Sequence, residues 1–176
     1  MEYSHKIIDD LLSRFESVIG VDYERYRNHV CRVFLYCILL DKNKSNEKKY
    51  AIAAVYHDIG IWTDRTIDYL NPSIAKANNY LMEIGKKEWL EEIDFMIYWH
   101  HKITKYKGAH QETVVIFCKA DWIDVSLGGL TFEGDKKKIA EIRQEFPNLG
   151  FHLFLTKQLL KNLFNHPLTP FPMFKR

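Results

Sequence analysis

The sequence predicts an all-α protein, a helical bundle that forms a single domain over residues 1–176. Along most of the chain, apolar residues recur at spacings of three and four, as they do on the buried face of a helix. Glycine, proline and capping residues separate these stretches, and none of them alternates as a strand would. A chain of 176 residues is long enough to bury a substantial core within one domain.

The first two predicted helices cover residues 3–19 and 23–42. Gly20 is placed to end the first helix, and Asp22 is placed to cap the start of the second. The second helix is apolar on more than one face, which predicts a central position in the core. Asp135 is expected to cap a later helix. The other predicted helices cover residues 47–59, 72–84, 87–103, 111–126, 135–146 and 149–164, and the tail from residue 166 is expected to lie extended.

Composition narrows the class of protein. A formal charge of +2 is too small to indicate a nucleic-acid partner. Cys31, Cys37 and Cys118 are odd in number and lack a Cys-x-x-Cys spacing, which is typical of buried thiols in a reducing compartment. The longest apolar run, residues 33–40, is too short to span a bilayer. We therefore expect a cytoplasmic protein without a membrane or nucleic-acid partner; self-assembly of identical chains stays open.

Polar residues occur on faces that should be apolar. His57 and Asp58 follow an alanine-rich helix, His29 lies beside the apolar face of the second helix, and Asp121 lies on a core-facing stripe. An uncompensated buried carboxylate costs many kcal/mol, so these residues need a partner. Internal hydrogen bonds or a salt bridge, for example from Lys119, would suffice. A divalent metal is the sharper alternative, and for Asp121 we favour it.

Together, His29, His57, Asp58 and Asp121 offer two imidazoles and two carboxylates from three helices. Such a mixed nitrogen and oxygen set suits a divalent ion such as Mn, Fe, Co, Ni, Zn or Mg rather than a thiolate-bound structural zinc. Four ligands leave coordination positions open for water and substrate on an ion that prefers six. This is the arrangement that a hydrolytic metal site needs.

The sequence resembles the HD-domain superfamily of metal-dependent phosphohydrolases. The resemblance rests on His29, on the string Ala53-Ala-Val-Tyr-His57-Asp58-Ile-Gly60, and on Asp121, in that order, and it covers about residues 23–127. It implies an all-α bundle in which His29, His57, Asp58 and Asp121 hold a divalent metal. It also implies hydrolysis of a phosphate ester, commonly in a nucleotide, with Asp58 helping to orient or deprotonate the attacking water.

The family often has further histidines between the His-Asp pair and the last aspartate, which bind a second metal or contact phosphate. His100 and His101 are candidates for such a catalytic role, although a pair partly in solvent at a helix end is an equally good interpretation. Asn71 stands where the family often has another histidine, and asparagine is a poor metal ligand. We therefore expect one metal ion per chain.

Phosphate recognition requires basic or polar groups near the metal. Arg32 and Lys102 are the best candidates in the sequence, while Arg65 is a candidate that is better explained as a surface charge. Asp124 lies one turn beyond Asp121 and is expected to support the ligands or the substrate. Asn71 completes the predicted substrate-binding set.

The leading hypothesis is a phosphohydrolase in which metal-activated water attacks a small phosphorylated molecule, expected to be a nucleotide. The alternative is a catalytically weak or inactive HD-type domain that binds metal and nucleotide in a regulatory role. A third interpretation is a helical scaffold in which the histidines and aspartates make internal hydrogen bonds only.

Overall fold

A computed structural model describes residues 6–102, 104 and 106–165 of the chain. Within this part of the chain every regular element is helical, so the all-α class is confirmed. The predicted extended tail from residue 166 lies outside the described residues. The α-helices are α1 (Lys6–Ser13), α2 (Glu16–Ile19), α3 (Tyr23–Leu40), α4 (Glu47–Tyr56), α5 (Gly60–Thr63), α6 (Leu70–Glu83), α7 (Leu90–Trp99), α8 (Gln111–Val125), α9 (Lys136–Glu145) and α10 (Phe151–Asn165).

Helix α3 has the central position that its apolar faces predict. Its side chains from Val30 to Cys37 are all buried, and the helix packs against α8, α4 and α1. Two polar groups of α3 also hold the segment before α10. The Asn28 amide donates to the carbonyl of Pro147, and the Arg32 guanidinium donates to the carbonyl of Phe146, both at 2.9 Å. Helix α10 is thereby positioned across one end of α3.

The His57-Asp58 pair lies in a turn between two helices. The sequence predicts one helix over residues 47–59 that stops at Gly60, but α4 ends at Tyr56 and Gly60 begins α5. Gly60 is needed because its backbone lies close to the start of α6. A Cβ atom there would be 2.7 Å from the carbonyl oxygen of Tyr69, and the Gly60 N–H donates to the Ser73 hydroxyl at 3.0 Å.

Several helix ends differ from the sequence-based expectation. The predicted helix over residues 3–19 is broken between α1 and α2, and α7 ends at Trp99 rather than at residue 103. Asp22 does not cap α3, because its carboxylate instead accepts from Trp62 Nε1 at 3.0 Å. Asp135 does cap α9 and accepts from the backbone N–H groups of Lys137 and Lys138.

Among the described residues, no helix combines the length and the apolar character that crossing a membrane requires.

Candidate metal centre

Four helices bring the four predicted metal ligands and the two predicted catalytic histidines together in the core. His29 comes from the middle of α3, the His57-Asp58 pair follows α4, His100 and His101 follow α7, and Asp121 comes from α8. The side chains of His29, His57, Asp58 and Asp121 are at most 2% exposed to solvent. The periodicity that predicted inward-facing positions for His29 and Asp121 is therefore correct.

Each of three histidines has an outer hydrogen bond that fixes its tautomer. His29 Nδ1 donates to Asp124 at 2.7 Å, while His57 Nδ1 donates to the Ala54 carbonyl at 2.8 Å and His100 Nδ1 to the Ile97 carbonyl at 2.6 Å. Carbonyl and carboxylate oxygens only accept, so Nδ1 carries the proton in each ring. The three Nε2 atoms consequently point a lone pair into the cluster when the rings are neutral.

His57 shows this most clearly. Burial lowers the pKa of its imidazole to about 4, so the ring is neutral near neutral pH. His57 Nε2 lies only 2.9 Å from His29 Nε2. Two lone pairs at this distance repel each other unless a cation or a proton lies between them.

The carboxylates of Asp58 and Asp121 also need a positive charge nearby. Asp58 Oδ1 and both oxygens of Asp121 are buried and accept no hydrogen bond from the described residues, and His100 Nε2 likewise has no hydrogen-bond partner among them. Burial alone would raise the pKa of both carboxyl groups, but the nearby imidazoles outweigh it and hold each pKa below its ordinary value. Among the groups that lower the pKa, His57 has the largest effect on Asp58 and His101 has the largest effect on Asp121. Two buried negative charges need a positive charge beside them, which a metal ion or a protonated histidine supplies.

For His29, His57 and Asp58 the distances are compatible with a shared divalent ion. Ligand atoms at about 2.1 Å from one ion lie roughly 3.0 Å apart at a right angle and roughly 3.4 Å apart at a tetrahedral angle. Asp58 Oδ2 is 3.6 Å from His29 Nε2 and 3.5 Å from His57 Nε2. Asp121 Oδ1 is 3.9 Å and 3.8 Å from the same two nitrogens. His29, His57 and Asp58 could hold a metal ion, and so could Asp58, His100 and His101.

Arg32 and Asp124 support the cluster from outside. Arg32 donates from Nε to Asp124 Oδ1 at 2.5 Å and from Nη2 to Asp124 Oδ2 at 2.9 Å, and both side chains are 2% exposed. Asp124 in turn orients His29. Asp124 therefore supports a predicted ligand, as the sequence allowed, and the Arg32 guanidinium donates to Asp124 and to the Phe146 carbonyl.

The other predicted substrate-binding residues have different surroundings. Lys102 is buried, stacks over Tyr98 with its Nζ 3.7 Å from the ring centre, and lines a separate cavity of about 570 Å³. Arg65 is exposed and lines another cavity, of about 270 Å³. Asn71 is exposed in the first turn of α6.

His100 and His101 have different surroundings. His100 is fully buried, with its Nε2 3.5 Å from Asp58 Oδ1. The alternative interpretation, a histidine partly in solvent at a helix end, therefore does not apply to His100. His101 lies at the edge of the cluster, with Nδ1 3.2 Å from Asp121 Oδ2 and Nε2 hydrogen-bonded to the Tyr69 hydroxyl at 2.5 Å. Burial lowers the pKa of His101, but Asp121 outweighs that effect and the net pKa is raised.

Sequence reasoning missed three residues at this site. The sequence around Tyr69 does not distinguish it from a tyrosine of the core. Phe151 and His152, on α10, lie outside the stretch that carries the motif. The Phe151 ring stacks on His29 with centroids 4.2 Å apart, and His152 Nε2 lies 3.7 Å from Asp124 Oδ2. The sequence positions of Tyr69, Phe151 and His152 relative to the His-Asp pair do not predict that they lie at this site.

Comparison with known proteins finds no matching family model, no matching curated protein and no matching solved structure. What the chain does must therefore be inferred from the geometry of this centre.

Proposed function

We propose that the protein is a metal-dependent phosphohydrolase that cleaves an ester of a small phosphorylated molecule. One observation carries the proposal: His29, His57 and Asp58 lie together in a buried group that could hold a metal ion, and buried oxygens of Asp58 and Asp121 accept no hydrogen bond from the described residues. A divalent cation satisfies this donor set, and its imidazole and carboxylate character suits the ions used in hydrolysis.

His29, His57, Asp58 and Asp121 would hold the ion. When bound there, a divalent metal would supply Lewis acidity, lowering the pKa of a water molecule and polarising the phosphoryl group. The rings of His29 and His57 are each oriented by an Nδ1 hydrogen bond. Such outer bonds also raise the basicity of the ligating nitrogen.

Asp58 is placed for two tasks. Its Oδ2 faces His29 and His57, whereas its Oδ1 faces His100 Nε2 at 3.5 Å and has no donor among the described residues. One oxygen can therefore bind the ion while Oδ1 orients the attacking water and accepts its proton. His100 Nε2 lies next to that oxygen and can share the proton.

His101 is placed for the leaving group. It contacts Asp121 on one side and lines an open cavity on the other, so a substrate in that cavity would meet its ring. In the hydrolysis, the water oxygen bonds to phosphorus, the ester P–O bond breaks, and the alcohol oxygen takes a proton. His101 in its protonated form can hold that proton and stabilise negative charge on the phosphoryl oxygens.

The test is phosphate release by protein loaded with Mn²⁺, Co²⁺ or Mg²⁺, measured on a panel of phosphate esters. Turnover is expected on at least one ester, and His101→Gln should lower it by about 10²–10⁴-fold. His110→Gln is the control, because His110 is an exposed histidine that pairs with Glu91 and Glu92 instead. Metal-loaded protein that releases no phosphate from any ester would refute the proposal.

The enclosure of the ligands favours one other candidate, an HD-type domain that binds metal and a nucleotide in a regulatory role. The four ligand side chains are at most 2% exposed, which limits the access of water. Metal-dependent nucleotide binding in calorimetry, without phosphate release, would assign this role.

A further inference from the structure

A cavity of about 240 Å³ adjoins the metal centre. It lies between the segment that follows the His-Asp turn, helix α8 and helix α10. His101 belongs to both features, since its Nδ1 is 3.2 Å from Asp121 and its ring lines the cavity. This is the position in which the organic part of a substrate would lie while its phosphoryl group meets the ligands.

The polar residues of the cavity are concentrated toward the metal centre. His101 contacts Asp121, Tyr69 contacts His101, and His152 Nε2 lies 3.7 Å from Asp124. Thr156 is the other polar group. The rest of the lining is apolar and consists of Ile61, Ile67, Trp122, Val125, Leu155 and Leu159.

This lining disfavours a nucleotide. Among the described residues, those around the cavity include no arginine, lysine, aspartate or glutamate, so a polyphosphate would find no charged side chain of that part of the chain there beyond the metal centre. Sugar hydroxyls placed against aliphatic side chains would lose their bonds to water, at about 1–3 kcal/mol for each unsatisfied group. The volume is also below the roughly 300–1,000 Å³ of common ligand pockets.

We propose that the substrate is a phosphate monoester of a compact apolar alcohol, with its phosphoryl group at His101 and its hydrocarbon part among Trp122, Leu155 and Leu159. This inference deepens the proposed phosphohydrolase function and rests on it. Water cleaves the ester so that phosphorus gains the water oxygen, the alkyl–oxygen group leaves with a proton, and inorganic phosphate and the free alcohol are the products.

The discriminating pair of substrates is propyl phosphate and glycerol 1-phosphate, which share a three-carbon chain and differ by two hydroxyls. With metal-loaded protein, kcat/KM for propyl phosphate should exceed that for glycerol phosphate by at least about tenfold. Leaving-group chemistry cannot produce this order, because the hydroxyls make glycerol the slightly better leaving group. ATP and AMP should be poorer substrates than propyl phosphate.

Variants locate the preference in the cavity. Leu155→Asn should lower kcat/KM for propyl phosphate about tenfold, as expected when a buried leucine contact is lost, and should leave glycerol phosphate nearly unchanged. Leu160→Asn, at an exposed position of the same helix outside the cavity lining, should change neither value. Thr156→Val replaces an exposed polar group of the lining and should preserve the fold while increasing the preference for the apolar ester.

Calorimetry separates the two proposals. Propylphosphonate cannot be hydrolysed, and it should bind the metal-loaded protein at least about tenfold more tightly than 2,3-dihydroxypropylphosphonate. Tighter binding of propylphosphonate without turnover of any ester would overturn the hydrolase function and leave the cavity assignment standing. Equal or reversed preference, in binding or in kcat/KM, would overturn the cavity assignment alone.

Discussion

Breaking the buried Arg32–Asp124 ion pair tests directly how the candidate metal centre is supported. Asp124→Ala removes the acceptor of two guanidinium hydrogen bonds and of the His29 Nδ1–H. Arg32 would remain 2% exposed, with only the Phe146 carbonyl to accept from it. Removing one partner of a buried ion pair costs about 3–5 kcal/mol. For a chain of this length that corresponds to a fall in Tm of roughly 6–20 °C.

Urea denaturation followed by circular dichroism, on chelator-treated protein, measures this loss without a contribution from bound metal. Asp9→Ala is the control, because Asp9 pairs with Arg27 at 2.8 Å but the Arg27 and Asp9 side chains are 28% and 39% exposed, against 2% for Arg32 and Asp124. The Arg27–Asp9 pair should be worth no more than about 1 kcal/mol. Should Asp124→Ala unfold the chain outright, Asp124→Asn offers a milder change of the same shape. A loss for Asp124→Ala no larger than that of the control would refute the reasoning.

A double variant separates stability from metal binding. Arg32→Met with Asp124→Leu replaces the ion pair by apolar groups and should recover most of the lost stability. His29 would still lack the acceptor that orients its ring, so metal affinity should stay about 10–100-fold lower than in the original chain. Recovery of both properties would show that Asp124 does not position the ligand.

Three other predictions follow from the same contacts. Gly60→Ala should destabilise the fold by about 1–3 kcal/mol, because the new Cβ would lie 2.7 Å from the Tyr69 carbonyl; an unchanged urea midpoint contradicts this. Burial raises the pKa of Cys31 and Cys118 to about 12 and that of Cys37 well above its ordinary value. The folded protein at pH 8 should therefore react with a thiol reagent far more slowly than the urea-unfolded chain, and rapid native labelling contradicts this. Burial lowers the pKa of His57 from 6.5 to about 4, so between these pH values the unfolded chain binds a proton at His57 and the folded chain does not. Metal-free protein should lose about 3 kcal/mol of stability as pH falls from about 6.5 to 4, and His57→Gln should remove that part of the slope; an equal slope in both proteins contradicts it.

The ligand cluster was predictable because helical periodicity reports which face a residue occupies. His29 and Asp121 fall on apolar stripes, and the same packing that buries those stripes brings the two side chains together. The central position of α3 follows from the same signal. The cap at Asp135 follows from local chemistry alone.

Contacts between distant segments were not predictable. Arg32 has the charge of a phosphate ligand, but its role is set by Asp124, 92 residues away, and by the Phe146 carbonyl. His152 and Tyr69 reach the site because α10 and the start of α6 pack near it. Gly60 could be read as a helix stop but not as the point where α6 comes close. These outcomes depend on tertiary packing, which periodicity and capping do not encode.

Metal content is the most direct test of the central claim that these buried imidazoles and carboxylates hold a divalent ion. The protein should be purified without chelators or a metal-affinity tag and then examined by elemental analysis and thermal unfolding. We expect one divalent ion per chain, a lower Tm after chelation, and loss of both features in His57→Ala but not in His110→Ala. Protein without stoichiometric metal, whose Tm is unchanged by a chelator, would contradict the claim.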